Sequence, residues 1–117
     1  MEYKELEIWV EARRLTNLVY DAIKIFPKEE LFALTNQIRR CAISISSNIA
    51  EGCGKQTSKD TIHFLHISRG SLYELETQFY LALDQKYIIE ENFELITKQI
   101  QTSKRLINGF INYYKKL

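Results

Sequence analysis

Two histidines and two cysteines are the side chains of this 117-residue chain best suited to hold a metal or act as nucleophiles. His63 and His66 stand three apart, and Asp60 precedes His63 by the same interval, the nearest approach to a carboxylate-x-x-His motif. A di-iron site in a helical bundle takes a Glu from each of two helices and a Glu-x-x-His pair from each of the other two, so one half-motif leaves the ligand set incomplete. A structural zinc site lacks ligands as well. Cys41 opens the uncharged run Cys41 to Ala50 and reads as a small hydrophobe, whereas Cys53 lies between Gly52 and Gly54 with no His beside it in sequence. No Gly-x-Ser-x-Gly elbow, phosphate-cradling Gly loop or dinucleotide fingerprint is present. The expectation is no catalysis, no metal, no cofactor and no small-molecule substrate; an enzyme would need a pocket joining Cys53 to a histidine.

Two polar patterns carry more information. Gln37, Cys41, Ser44, Asn48 and Glu51 follow helical spacing with Arg40 adjoining, and Ser71, Glu74 and Gln78 offer a matching row next to Gly70. Small residues at facing positions let two helices approach closely and pair their polar groups. These rows read either as a contact holding two helices, or two subunits, together or as a ligand site, and the contact is the simpler reading. An ion pair between Arg40 and Glu74 is the specific expectation. The second pattern is basic: Lys98, Gln101, Arg105, Asn108, Asn112 and Lys115 form one stripe without an acid, flanked by Lys104, Lys116, Tyr113 and Tyr114. Alone it is a solvated outer face. Repeated around an oligomer, it becomes a multivalent field able to hold phosphate backbones.

Four helical segments must position these rows. Ile8, Ala12, Leu15, Val19, Ala22 and Phe26 predict helix 1 over about residues 3 to 26, ended by Pro27. Helix 2 is expected from near 28, with Glu29 and Glu30 at its positive end, through to about Glu51. Its stripe is Leu31, Leu34, Ile38, Cys41 with Ala42, Ile45 and Ile49, which outweighs the strand-like alternation Ile43 to Ser46. Thr57 to Asp60 resembles a capping box and opens helix 3, with Leu65, Ser68, Leu72, Leu75, Phe79 and Ala82 inward and an end near Asp84. After a link from Gln85 to Ile89, helix 4 buries Phe93, Ile96, Ile100, Ser103, Ile107, Phe110 and Tyr114. The fold class is all-α, an up-down-up-down antiparallel four-helix bundle forming one domain over 1–117. Phe32, Ile43, Ile67, Ile88, Ile111 and Trp9 fall off the stripes, and broad apolar faces of this kind suit a homo-oligomer.

Composition agrees. Pro and Gly make up only 5 of 117 residues, too few for the turns of an all-β fold, and the hydrophobic and charged shares of 45% and 26% are those of a globular chain. The net charge of +1 hides an imbalance, because residues 86–117 hold six Lys or Arg against three Glu. Two cysteines without a framework point to a reducing compartment, and an acidic start with no long apolar run points to a cytoplasmic protein off the membrane.

The motifs Leu34-Thr35-x-Gln37-Ile38-Arg39-Arg40, Ser44-Ile45-x-Ser47-Asn48-Ile49-Ala50-Glu51-Gly52, Phe64-Leu65 and Arg69-Gly70-Ser71-Leu72-x-Glu74-Leu75-Glu76-Thr77 stand in this order. Together with Trp9 and the Phe26-Pro27-x-Glu29-Glu30 junction, they closely resemble the bacterial four-helix-bundle family of 23S rRNA intervening-sequence proteins over essentially the whole chain. The sequence departs at Ala33, where that family commonly has Gly, and at Cys41 and Ser68, where it commonly has Ala. The resemblance implies a homopentamer, and it also extends to the accessory variability determinants of diversity-generating retroelements, pentamers that bind nucleic acid. The role implied is that of a non-enzymatic adapter associated with RNA or a nucleoprotein. Lys98, Lys104, Arg105 and Lys115, together with Lys55 and Lys59 of the preceding loop, would then meet phosphates. The alternative is a protein-binding scaffold with no nucleic-acid contact.

Overall fold

Over residues 2–117, which the computed structural model describes, the apolar stripes become four α-helices: α1 (Glu7–Ile23), α2 (Leu34–Cys53), α3 (Ser58–Asp84) and α4 (Glu90–Lys115). Each helix packs on its neighbour in sequence and α4 closes back on α1, giving an all-α four-helix bundle of 45 × 25 × 21 Å. Among the described residues there is no strand, and the Ile43 to Ser46 alternation lies inside α2. The core runs the length of the bundle through Leu15, Ile38, Ile45, Ile49, Leu65, Leu72, Leu75, Phe79, Ile100 and Ile107, each essentially without solvent contact.

The first two helices are shorter than periodicity suggests. Residues Tyr3–Glu5 form a separate 3₁₀ turn, and an extended Leu6 (φ −74°, ψ 133°) turns the chain so that Tyr3 meets Trp9 edge to face at 5.3 Å. After Ile23 the backbone leaves the α-helix, yet Phe26 stays buried, because the turn folds its ring against Tyr87 at 5.6 Å. Pro27 leads into a 3₁₀ turn (Lys28–Glu30), and α2 begins only at Leu34. With the helical phase interrupted, Leu31 lies outside the core and Phe32 is 91% exposed. Glu30 therefore does not sit in a first helical turn. It stands ahead of α2, where one carboxylate oxygen accepts from the Leu34 amide at 3.3 Å and the other from the Tyr87 hydroxyl at 2.8 Å. In α4 the buried meridian passes from Ile107 to Ile111, leaving Phe110 and Tyr114 half-buried; Ile88 of the α3–α4 link is also inside.

The most extensive helix contact is α2 on α3, and small residues stand at its closest approach. A Cβ at Gly52 would lie 3.2 Å from both the Phe64 Cβ and the Thr61 carbonyl oxygen, so any larger residue would push α3 back by a few tenths of an ångström. Along the seam Thr61 Oγ1 donates to Gly52 O at 2.8 Å, Ser68 Oγ to Ile45 O at 2.8 Å and Cys41 Sγ to Ser71 O at 3.0 Å. Ser44 and Ser71 hydroxyls meet at 2.9 Å, and Asn48 Nδ2 donates to Ser44 O at 2.8 Å and to Ser44 Oγ at 2.9 Å. Cys41 and Ser68 thus each add a hydrogen bond where an alanine would offer none. Short links hold the remaining turns. Thr57 Oγ1 accepts from the Asp60 amide at 3.2 Å and caps α3. At the other end of α3, Tyr87 N donates to Ala82 O and Lys86 N to Leu83 O, a Schellman closure that puts Lys86 at φ 63°.

Three substitutions test these geometries by urea unfolding. Gly52→Ala is expected to lose about 1–2 kcal/mol, since the backbone of α3 must give way. Gly70→Ala, whose Cβ meets nothing within 4 Å, should gain about 0.5–1 kcal/mol by removing a flexible residue from mid-helix. Lys86→Gly relieves the left-handed backbone and should gain about 1 kcal/mol.

Candidate nucleic-acid interface

The six basic residues singled out from the sequence divide into three groups. Lys55 and Lys59 are exposed at the α2–α3 loop and the start of α3, with Lys55 Nζ 4.9 Å from the centre of the Phe64 ring. Lys115, also exposed, lies at the end of α4 that faces the same part of α3, close enough for its charge to act on His66. Lys98 and Arg105 are exposed on the outer side of α4, and Arg105 borders a groove on the α1 side with Leu6, Ile8, Leu106, Phe110 and Tyr113. Lys104 differs from all of these. Its ammonium donates to Glu76 Oε1 at 2.8 Å and sits 4.0 Å above the Tyr73 ring, with the side chain only 12% exposed. Gln101 donates to the other Glu76 oxygen at 2.8 Å. The expectation that Lys104 offers its charge to a phosphate is therefore corrected: the charge is consumed in fastening α4 to α3.

The chain reversal between α3 and α4 adds residues that the α4 stripe alone did not suggest. Lys59, His63, His66 and Arg69 follow spacings of 4, 3 and 3 along the outer side of α3, all in the half that opposes the end of α4. Arg69 Nη1 donates to Asn108 Oδ1 at 2.9 Å and bridges the two helices. Residues 61–73 and 95–117, which make up this end of the α3–α4 surface, contain no Asp or Glu. Past Asp60, which adjoins Lys59, cations thus converge where neither helix carries an Asp or Glu. His66 reflects this: partial desolvation lowers its pKa below the usual 6.5, and the charges of Arg69, Lys115 and His63 lower it further. The signal was present in the sequence as a helical row on α3, but its meaning depends on α4 running back beside it.

The polar rows of α2 and α3 flank a cleft of about 340 Å³ lined by Gln37, Arg40, Cys41, Ser44, Ser71 and Glu74. Ser44, Asn48 and Ser71 join in the hydrogen-bonded chain described above, while Gln37 and Glu51 remain exposed. Arg40 and Glu74 face the same cleft without an ion pair within 4.0 Å, which corrects the expected bridge. Glu74 acts on Cys41 instead. Burial first, then a hydrogen bond and the charge of Glu74, push the Cys41 thiol up to about 12, so it carries no thiolate for nucleophilic attack at neutral pH. Burial also raises the Cys53 thiol. Among the described residues no three His, Cys, Asp or Glu side chains gather as a metal site would require, and no helix is long and apolar enough to cross a membrane.

The contrast between fastened and free cations is measurable. Lys104→Ala should cost about 1–2 kcal/mol in urea unfolding, since it strands Glu76 and removes the contact with Tyr73 in a half-sheltered setting. Lys98→Ala, in open solvent, should stay within about 0.5 kcal/mol of the parent.

Comparison with known proteins agrees with this architecture. A crystal structure of a protein of unknown function from the S23 ribosomal protein family of Bacteroides thetaiotaomicron VPI-5482 superposes with a TM-score of 0.83. At 24% identity it covers 90% of this chain and 95% of its own, and it establishes the likeness of fold. Among curated proteins no match is found. The family model for 23S rRNA-intervening sequence proteins matches residues 4–109, spanning all four helices almost to their ends, and the chain belongs to that family.

Proposed function

We propose that this protein is the subunit of a non-enzymatic homo-oligomeric bundle that associates with RNA or a nucleoprotein through the acid-free end of its α3–α4 surface. The observation that carries this is the convergence of Lys59, His63, His66 and Arg69 of α3 with Lys115 of α4. Phosphate backbones are held by such clusters through counterion release, without base readout. Arg69 is already oriented by Asn108, so less side-chain freedom is lost when it meets a phosphate. One chain offers few contacts. A homo-oligomer, pentameric as the family resemblance implies, multiplies them along one polyanion.

Support for assembly comes from apolar side chains that the single chain leaves outside: Ile43, Ile67, Tyr73, Tyr80 and Leu81 are each between 40% and 54% exposed, on α2 and α3. The working location is the cytoplasm, in keeping with two free cysteines. A specific observation also favours the second reading, a protein-binding scaffold: the groove between the start of α1 and the end of α4 has a volume of about 440 Å³ and an apolar lining of Leu6, Ile8, Leu106, Phe110 and Tyr113.

Light scattering of the purified protein should give a mass several times that of the 13.8 kDa chain. Fluorescence anisotropy with a labelled structured RNA should show binding that weakens with salt, log K falling by roughly 0.7–0.9 per decade of salt for each phosphate neutralised. Absence of binding by the assembled oligomer at about 50 mM salt, where this electrostatic attraction is strong, sinks the RNA reading. Partners that survive nuclease treatment in a pull-down would then favour the scaffold.

A further inference from the structure

We propose that RNA capture by the α3–α4 surface is coupled to proton uptake at His66, so that the surface grips a phosphate backbone more tightly as the pH falls. The proposal rests on the RNA reading above and assigns a regulation to the same site. His66 is exposed in the middle of the row, with Lys59, His63 and Arg69 on its own helix and Lys115 facing it from α4. Asp60, three residues before His63 and six before His66, is the one acid of this half of α3, and residues 61–73 and 95–117 contain no Asp or Glu. A bare cluster of this kind disfavours one more positive charge until an anion arrives. Once a phosphate lies among these groups, the sign of the local field at His66 reverses. The imidazolium is then favoured, both by charge and as a second N–H donor to phosphate oxygens.

The linkage has a definite sign. In the free protein, partial desolvation and the cationic neighbours lower the His66 pKa from its usual 6.5, whereas a bound phosphate raises it. A group whose pKa is higher in the complex contributes affinity that is fully present below its free value and is lost as the pH rises through its bound value. Each unit by which binding raises that pKa is worth up to tenfold in affinity at the acid end.

The experiment uses a tetramethylrhodamine-labelled oligouridylate, because this dye, uracil and internal phosphodiesters do not titrate near neutrality, with the full chain in its assembled state. Anisotropy at a fixed ionic strength of about 50 mM should show affinity rising several-fold between about pH 7.5 and pH 5.5. His66→Gln, an exposed substitution, should bind at the higher pH and show a much flatter profile. The His66 ring resonance in NMR should titrate at higher pH when the oligouridylate is present. Equal affinity of the parent at both pH values, an undiminished rise in His66→Gln, or a His66 titration unmoved by RNA overturns the coupling and leaves the RNA reading standing. No binding at either pH removes the RNA reading itself, and the coupling with it.

Discussion

The spacing of α2 and α3 is the constraint on which the other contacts rest. Gly52 brings the two backbones close enough that any Cβ there would press on Phe64 and the Thr61 carbonyl, and the hydroxyls of Thr61, Ser68, Ser44 and Ser71 supply polar partners that a narrow seam would otherwise strand. Donation to carbonyls already used within α2 adds bonds without unravelling the helix, since each carbonyl oxygen has a second lone pair. With α3 set at this distance, its opposite side meets α4 through Arg69 with Asn108 and Glu76 with Lys104 and Gln101. The hydrogen-bonded polar positions of α3 therefore divide by side, while Gln78 Oε1 and Ser103 Oγ are buried without a partner among the described residues. Those toward α2 make the seam, those toward α4 lock the second pair, and the row left outside carries the cations of the acid-free surface.

Helix periodicity made much of this legible. The inward residues of α3 and the Thr57 cap follow from spacing and composition, and so does the stripe of α1 from Ile8 through Ala22. What escaped was the geometry of residues 24–33, where one proline and two 3₁₀-compatible acids suit a helix start as well as a turn. The tertiary bond from Tyr87 to Glu30 decides between them, and nothing local announces a partner 57 residues away. Leu31 was misplaced for the same reason, because a stripe keeps its phase only while the helix is unbroken.

Charge was legible as composition and not as arrangement. Lys104 looks on a helical wheel like its neighbours, yet Glu76 and Tyr73 approach it from α3 and withdraw it from the surface. His63, His66 and Arg69 show the reverse: three separate basic residues in a helix of negative sum become one field once the stretch of α3 between Asp60 and Glu74 lies against the acid-free half of α4. A net charge of +1 is compatible with such a field because, after Asp60, the acids of α3 resume only at Glu74, beyond the stretch that faces the end of α4. Topology converts a near-neutral chain into a molecule with a polar axis of charge.

The two oxygens of Glu30 have a consequence for how the bundle holds its length. One binds the start of α2 and the other the link between α3 and α4, so a single carboxylate cross-ties both chain reversals at that end. Among the described residues the opposite end has no such tie: there α1 starts, α4 finishes, and α2 passes to α3 through Gly54. The cations Lys55, Lys59 and Lys115 all belong to that opposite pole, where the α2–α3 turn is held by Thr61 on Gly52 and not by a carboxylate. The cross-tie and the cations thus stand at opposite poles, so a polyanion gathered at the one would leave the Glu30 cross-tie at the other untouched.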